Sequence, residues 1–216
     1  MIVALAGQKG GSGKTTVSLC IADELHRRGA DVLLCDVDPQ GTARTWADVA
    51  ADLDHDTPTT IGMGDGFHEE LPALSESYDH TIVDCPPGHT PRQRAAMMVS
   101  DVVVVPCGPG ATDVWAVAET IEVARKAKGV RSDLEVVILV TRKDARTVIG
   151  DQAAEALQAT ELPVLDTTLG FRVDYQEAPS DGVGVTRYNP SGAAADEVKS
   201  LVDELEKVAT EGTNGK

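Results

Sequence analysis

Short, wholly apolar runs alternate along the chain with longer stretches that repeat every three to four residues. Ile2–Ala6 reads as a strand, and residues 14–28 as a helix carrying Val17, Cys20, Ile21 and Leu25 on one face. Gly29 ends that helix. Asp31–Cys35 predicts a second strand, residues 41–51 a helix, and 52–66 a loop with room for one short strand. Phe67–Ser77 predicts a weak helix interrupted by Pro72. Thr81–Val83 is a strand ending at Asp84, followed by a Pro86-Pro87-Gly88 turn and a helix over 90–98. Asp101–Val105 predicts a strand closed by Pro106, then come a helix over 111–128 and a strand over 134–140. A helix over 147–159, a short strand over 162–165 and a last helix over 191–208 complete the pattern.

The runs Val102–Val105 and Val136–Val140 show no alternation of apolar and polar residues. Strands buried on both faces have this character. Alternation of such strands with helices predicts an α/β fold, a doubly wound and mostly parallel sheet with helices on both faces. With no repeat, low-complexity linker or composition break, residues 1–209 read as one domain and 210–216 as a disordered tail.

Net charge changes the picture. Thirty-five acids against 19 bases give −16, a surface that repels nucleic acid and anionic membranes at low salt. Either it solubilises the protein or it suits a high-salt interior where the repulsion is screened. Aromatic residues are only 3%, too few for base-stacking platforms. Cys20, Cys35, Cys85 and Cys107 lie in apolar runs without C-x-x-C spacing and read as buried thiols, neither a zinc knuckle nor a redox motif. The start of the chain lacks a basic stretch or signal-peptide core and no apolar run approaches about 20 residues, so the expected location is cytoplasmic.

The candidate chemistry begins after the first strand, at Gly7-Gln8-Lys9-Gly10-Gly11-Ser12-Gly13-Lys14-Thr15-Thr16. The general phosphate loop is G-x-x-x-x-G-K-[ST]; its first glycine falls on Gln8, while Gly13-Lys14-Thr15 is intact. Glycines let the backbone wrap a phosphate, and the following helix adds its positive N-terminal end. Lys9, Gly10, Gly11, Ser12, Gly13, Lys14, Thr15 and Thr16 are the expected nucleotide-binding set of a P-loop NTPase, with Thr15 able to ligate Mg2+. The second strand runs into Asp36-Val37-Asp38-Pro39-Gln40; two carboxylates at a strand's C-terminal end can hold hydrated magnesium and orient a water. Asp84, after Thr81-Ile82-Val83, has a Walker B pattern and completes the metal set of Thr15, Asp36 and Asp84.

The form Lys9-Gly10-Gly11-Ser12-Gly13-Lys14-Thr15, followed in order by D-x-D-P-Q and D-x-P-P-G, resembles the ParA/MinD family of deviant Walker A ATPases. Val102–Pro106 and Gln176–Gly182 resemble its later elements. The resemblance implies ATP and Mg2+ as ligands, and slow hydrolysis stimulated by a ParB-like or adaptor protein. It implies a homodimer formed on ATP binding, in which Lys9 reaches the nucleotide of the other subunit. Lys9, Lys14 and Asp38 would be the catalytic residues, Asp38 positioning the water, with Asp36 near the metal shell and Asp84 holding magnesium through water. It implies segregation or positioning of DNA or a protein cargo through non-specific DNA binding, with nucleoid association when ATP is bound. Arg142, Lys143, Arg146, Arg172, Arg187 and Lys199 are the DNA-contact candidates. The last helix carries Val198, Leu201, Val202 and Leu205 opposite an acidic face, which suits packing on the core and argues against a membrane-surface helix. Three alternatives stand beside this reading. An iron–sulfur relative lacks the cysteine spacing, a metabolic P-loop ligase is disfavoured by Lys9 and D-x-D-P-Q, and the third is an ATP-dependent switch acting through protein partners without DNA.

Overall fold

The computed structural model describes residues 1–144, 157 and 162–214. Seven strands form one sheet: β1 (Ile2–Leu5), β2 (Val32–Asp36), β3 (Thr59–Gly62), β4 (His80–Asp84), β5 (Val102–Cys107), β6 (Glu135–Lys143) and β7 (Val164–Gly170). Their order across the sheet is β3-β2-β4-β1-β5-β6-β7, and every neighbouring pair is parallel. Among the described residues the helices are α1 (Lys14–Arg27), α2 (Thr42–Asp52), α3 (Phe67–Ser75), α4 (Pro91–Val99), α5 (Ala111–Val130), α6 (Asp174–Glu177), α7 (Val185–Tyr188) and α8 (Ala193–Asn214). A 3-10 turn, Ala178–Asp181, joins α6 to the segment before α7. The expected helix over 147–159 lies almost wholly outside the described residues.

The unalternated strands are apolar because both faces of the sheet are covered. On one face, Leu71, Met97 and Ile121 bring α3, α4 and α5 onto Val83, Val103 and Ile138. On the other, Ile21, Leu25, Trp46, Leu201 and Leu205 bring α1, α2 and α8 onto Leu34, Ile82 and Leu139. Each fully buried side chain of this size contributes roughly 1.5–3 kcal/mol relative to exposure. The stripe Val198, Leu201, Val202 and Leu205 is buried, as its spacing predicts. All four cysteines are buried free thiols. No helix among the described residues is long and apolar enough to cross a membrane.

Three local expectations are corrected. Helix α3 continues through Pro72, because burial of Phe67 and Leu71 outweighs one missing backbone bond. Strand β5 continues through Pro106 to Cys107. Its pairing with β1 ends at Val104, so Pro106 sits where only β6 remains as a neighbour. The tail expected to be disordered from Thr210 is helical to Asn214, an extension of α8.

The edge strand β7 is irregular. Its register against β6 shifts between Val164 and Thr168 and again before Gly170. Helix α8 covers the displaced backbone: Glu204 accepts the N–H groups of Asp166 (2.7 Å) and Thr167 (3.0 Å), and Glu197 that of Gly170 (3.0 Å). Acidic positions of the last helix thereby block an open sheet edge from pairing with another chain.

Candidate functional site

β1 sits inside the sheet, between β4 and β5, and delivers the glycine-rich loop to the crevice above the strands' C-terminal ends. Gly11 and Gly13 have φ of +70° and +99°, a region side chains rarely enter. Protein donors hold the loop's carbonyls: Gln93 Nε2 donates to Gly7 O (3.1 Å), Gly88 N–H to Gln8 O (2.8 Å) and Thr141 Oγ1 to Ser12 O (3.0 Å). With carbonyls turned to the protein and α1 starting at Lys14, the loop presents a helix N-terminus and its preceding amides to an anion. The Ser12 hydroxyl is buried with no partner.

Lys14 is buried, and its Nζ donates to Lys9 O across the loop at 3.1 Å. Burial lowers its pKa, opposed by Asp84, Cys85 and Asp38. An ammonium so held gains most from a phosphate. Thr15, next along α1, donates through Oγ1 to Asp84 Oδ2 (2.8 Å), and Ser18, one turn further, donates through Oγ to Oδ1 (3.1 Å). Asp84 is fully buried, and burial pushes its pKa up to about 7 despite these two bonds; Asp36 and Asp38 nearby push the same way. A carboxylate strained in this way, beside a threonine hydroxyl, suits a divalent cation. No cluster of three or more His, Cys, Asp or Glu that could hold a metal occurs among the described residues. A magnesium ion here would therefore draw further ligands from water and phosphate, its usual preference.

Asp36 and Asp38 take different places. β2 ends at Asp36, which is buried; its Oδ1 accepts the Asp38 N–H (3.0 Å) and its Oδ2 the Arg44 N–H (3.2 Å). Burial raises the Asp36 pKa, and those two amides counter it. Asp36 thus fixes the loop that carries Asp38, rather than pointing alongside it. Asp38 lies in the turn beyond, accepting Gln40 N–H through Oδ1 at 2.9 Å. Arg92 of α4 clamps the same loop, donating to Val37 O at 2.9 Å.

Lys9 stands on the rim, its side chain 41% exposed, with Nζ 2.7 Å from Asp113 Oδ1 and 3.3 Å from Thr112 Oγ1 at the start of α5. Arg142 approaches the same Asp113 oxygen at 3.4 Å and has φ +54°, within the second register shift of β6. Beside the loop runs a cleft between Gly13, Thr16 and Thr141 on one side and Phe171, Arg172 and Tyr175 on the other. Phe171 is 65% exposed at its mouth.

The other basic candidates are engaged within the chain. Arg172 forms a two-pronged contact to Glu197, with Nε at 2.9 Å and Nη2 at 2.6 Å. Arg187 grips the buried Asp23 with two nitrogens and donates to Asp56 O. Lys199 donates to Pro190 O at 2.9 Å, and Lys143 is half-buried at the end of β6. Arg146 lies outside the described residues. The structure thus gathers Lys9, Gly10, Gly11, Ser12, Gly13, Lys14, Thr15, Thr16, Asp36, Asp38 and Asp84 at one crevice; of the described basic candidates, Arg142 and Arg172 line the cleft beside it, while Arg187 and Lys199 are bound elsewhere. Ser18 and Asp113 are site residues that the motif pattern did not supply. Ser18, three residues after Thr15, and Asp113, an acid in the first turn of a helix following an apolar strand, are the sequence traces that could have found them.

The profile of the CobQ/CobB/MinD/ParA nucleotide binding domain matches residues 3–185. The chain is 30% identical over 206 residues to the maintenance of carboxysome distribution protein A of Halothiobacillus neapolitanus, covering 94% of this chain and 95% of that protein. It is 31% identical over 235 residues to the chromosome-partitioning ATPase Soj of Thermus thermophilus, covering 94% of each. In structure it is similar to the septum site-determining protein MinD of Pyrococcus horikoshii complexed with Mg-ADP, at a TM-score of 0.74 and 20% identity, over 98% of each chain.

Proposed function

The chain belongs to the CobQ/CobB/MinD/ParA family of nucleotide-binding proteins and is an ATPase of its ParA-like group, and from that premise we propose that it dimerises on ATP and positions or partitions a cargo. The observation that supports this best is the second lysine of the loop. Lys14 is the lysine that the start of α1 sets against a phosphate, so a single nucleotide needs no second one, and Lys9 sits half-exposed on the rim with its ammonium held by Asp113. In a face-to-face pair, Lys9 leaves Asp113 and meets the phosphates bound by the other subunit.

Within one subunit the loop amides and Lys14 would hold the phosphates, and Thr15 and Asp84 would hold Mg2+, Asp84 through water. When bound, the ion would supply charge neutralisation at the phosphoryl oxygens. Asp38, fixed by Asp36 and Arg92, orients the attacking water. The cleft bounded by Phe171 and Tyr175 beside the loop is where the base would rest. Catalysis is positioning and charge stabilisation, which gives slow turnover until a ParB-like or adaptor protein completes the arrangement. The ATP-bound dimer binds DNA non-specifically and carries a chromosome, plasmid or protein assembly.

One observation favours a second reading, a switch acting through proteins alone: Arg172, Arg187 and Lys199 are held by intramolecular partners in a chain of net charge −16. One experiment separates the two. Asp38→Ala should still bind ATP, turn it over at least about 100-fold more slowly than the parent, and be retained on DNA with ATP but not with ADP. Retention should weaken along a salt series extending to molar potassium chloride. Parental turnover removes Asp38 from its role. Absence of retention at every salt concentration, with ATP still bound, selects the protein-only switch.

A further inference from the structure

Among the described residues, Glu197, on the second turn of α8, is a carboxylate outside the phosphate site that accepts four hydrogen bonds. One oxygen accepts both prongs of Arg172, at 2.9 and 2.6 Å. The other accepts Gly170 N–H at 3.0 Å and Tyr175 Oη–H at 2.9 Å. These four bonds close around one six-residue turn, Gly170–Tyr175, which carries Phe171 and forms the far wall of the cleft beside the phosphate loop. The turn is tight: a Cβ added at Gly170 would come within 3.0 Å of Arg172 Nε and 3.1 Å of Glu197 Oε1. Burial, reinforced by the Glu197 charge, holds the Tyr175 phenol protonated, so its hydroxyl is the donor. Glu197 itself lines neither the phosphate loop nor the cleft.

We infer that Glu197 is a positioning residue for nucleoside binding: by fixing Gly170, Arg172 and Tyr175 it sets the cleft wall against which the base rests. This rests on the reading of the cleft as the nucleoside site. A base gains affinity from a wall ordered beforehand, since less freedom is lost on binding. Arg172 then belongs to the nucleotide cleft, its charge matched by Glu197, and not to a nucleic-acid surface. Helix α8 also holds, through Glu204, the part of β7 that leads into that wall.

The test compares Glu197→Ala, Glu197→Gln and Tyr175→Phe with the parent in nucleotide-free melting, in affinity for a fluorescent ATP analogue, and in steady-state turnover. Glu197→Ala should raise Kd and KM about ten-fold with kcat within about two-fold, since charged hydrogen bonds to the wall are lost while the phosphate site is intact. Glu197→Gln and Tyr175→Phe, each keeping part of the network, should raise them about three-fold. A lowered melting temperature with Kd and KM unchanged in Glu197→Ala overturns the inference and leaves Glu197 a purely structural residue. If Glu197→Ala does not fold, Tyr175→Phe, which removes a single hydroxyl, carries the test; unchanged Kd and KM there overturn it. Lys14→Ala separates the two levels of argument: parental nucleotide affinity in that variant sinks the phosphate-site reading, whatever the Glu197 variants do.

Discussion

Lys14→Ala should lose measurable ATP binding while folding at least as well as the parent. Opposite charges about 4 Å apart attract by roughly 4 kcal/mol at an effective dielectric of 20, which is about three orders of magnitude in affinity. Lys14 is the charge that the first turn of α1 supplies to the loop, and its Nζ already spans the loop to Lys9 O. Without nucleotide, that ammonium is desolvated, and burial is the largest influence on its pKa. Removing it therefore relieves a cost in the empty protein and abolishes a gain in the filled one. Calorimetric titration with ATP and nucleotide-free melting read the two halves separately. Normal ATP affinity, or a melting temperature that collapses without nucleotide, contradicts the assignment.

Arg187→Ala should destabilise the fold by about 3–5 kcal/mol, the usual cost of leaving a buried charge without its partner. Asp23 of α1 is fully buried, and its carboxylate meets Arg187 through two nitrogens and Gly184 N–H at 3.0 Å. Gly184 has no room for a side chain, since a Cβ would lie 2.8 Å from Asp23 Oδ2. The pair ties α1, which begins at the phosphate loop, to the α7 segment. For a domain of this size the loss corresponds to a fall of roughly 10 °C in melting temperature. Asp23→Asn in the same background should recover part of it, because the uncompensated charge is gone. Denaturant titration of the parent and the two variants checks this; an unchanged midpoint for Arg187→Ala shows the pair to be dispensable. It also bears on DNA binding. A loss of DNA retention in Arg187→Ala at a temperature where the variant is partly unfolded reports on folding, not on a nucleic-acid contact.

Most strands and the longer described helices were legible because their burial is written in periodicity; β7, expected over 162–165 and found at Val164–Gly170, is a register-shifted edge strand whose N–H groups are held by α8. Val102–Val105 is apolar throughout since both of its faces are covered, and the α8 stripe repeats at helical spacing. The phosphate site was legible because its parts are local: Gly13-Lys14-Thr15 and Asp84 each carry a short pattern, and the sheet brings them together. The missing pieces are those that depend on distant neighbours. Pro106 stops a strand only if its missing N–H would face a paired neighbour, and that depends on where β1 ends. Pro72 breaks a helix only if packing does not hold it, and Leu71 does. The short turns α6 and α7 have too few residues to show a period. Glu197 falls on the acidic face of the last helix, and Arg172 and Arg187 read as DNA-contact candidates. Their partners lie 25 and 164 positions away, a separation that no window of sequence reveals.

The proposed dimer depends on Lys9, the residue that would serve a second subunit. Its direct test is the solution mass, by light scattering after size exclusion, of the Asp38→Ala protein and of an Asp38→Ala/Lys9→Ala double variant, each with ATP, with ADP and without nucleotide. The predicted result is a dimer for Asp38→Ala with ATP alone and a monomer for the double variant in all three conditions, although it still binds ATP. An ATP-dependent dimer that persists without Lys9, or a monomer throughout for Asp38→Ala with ATP bound, would contradict it.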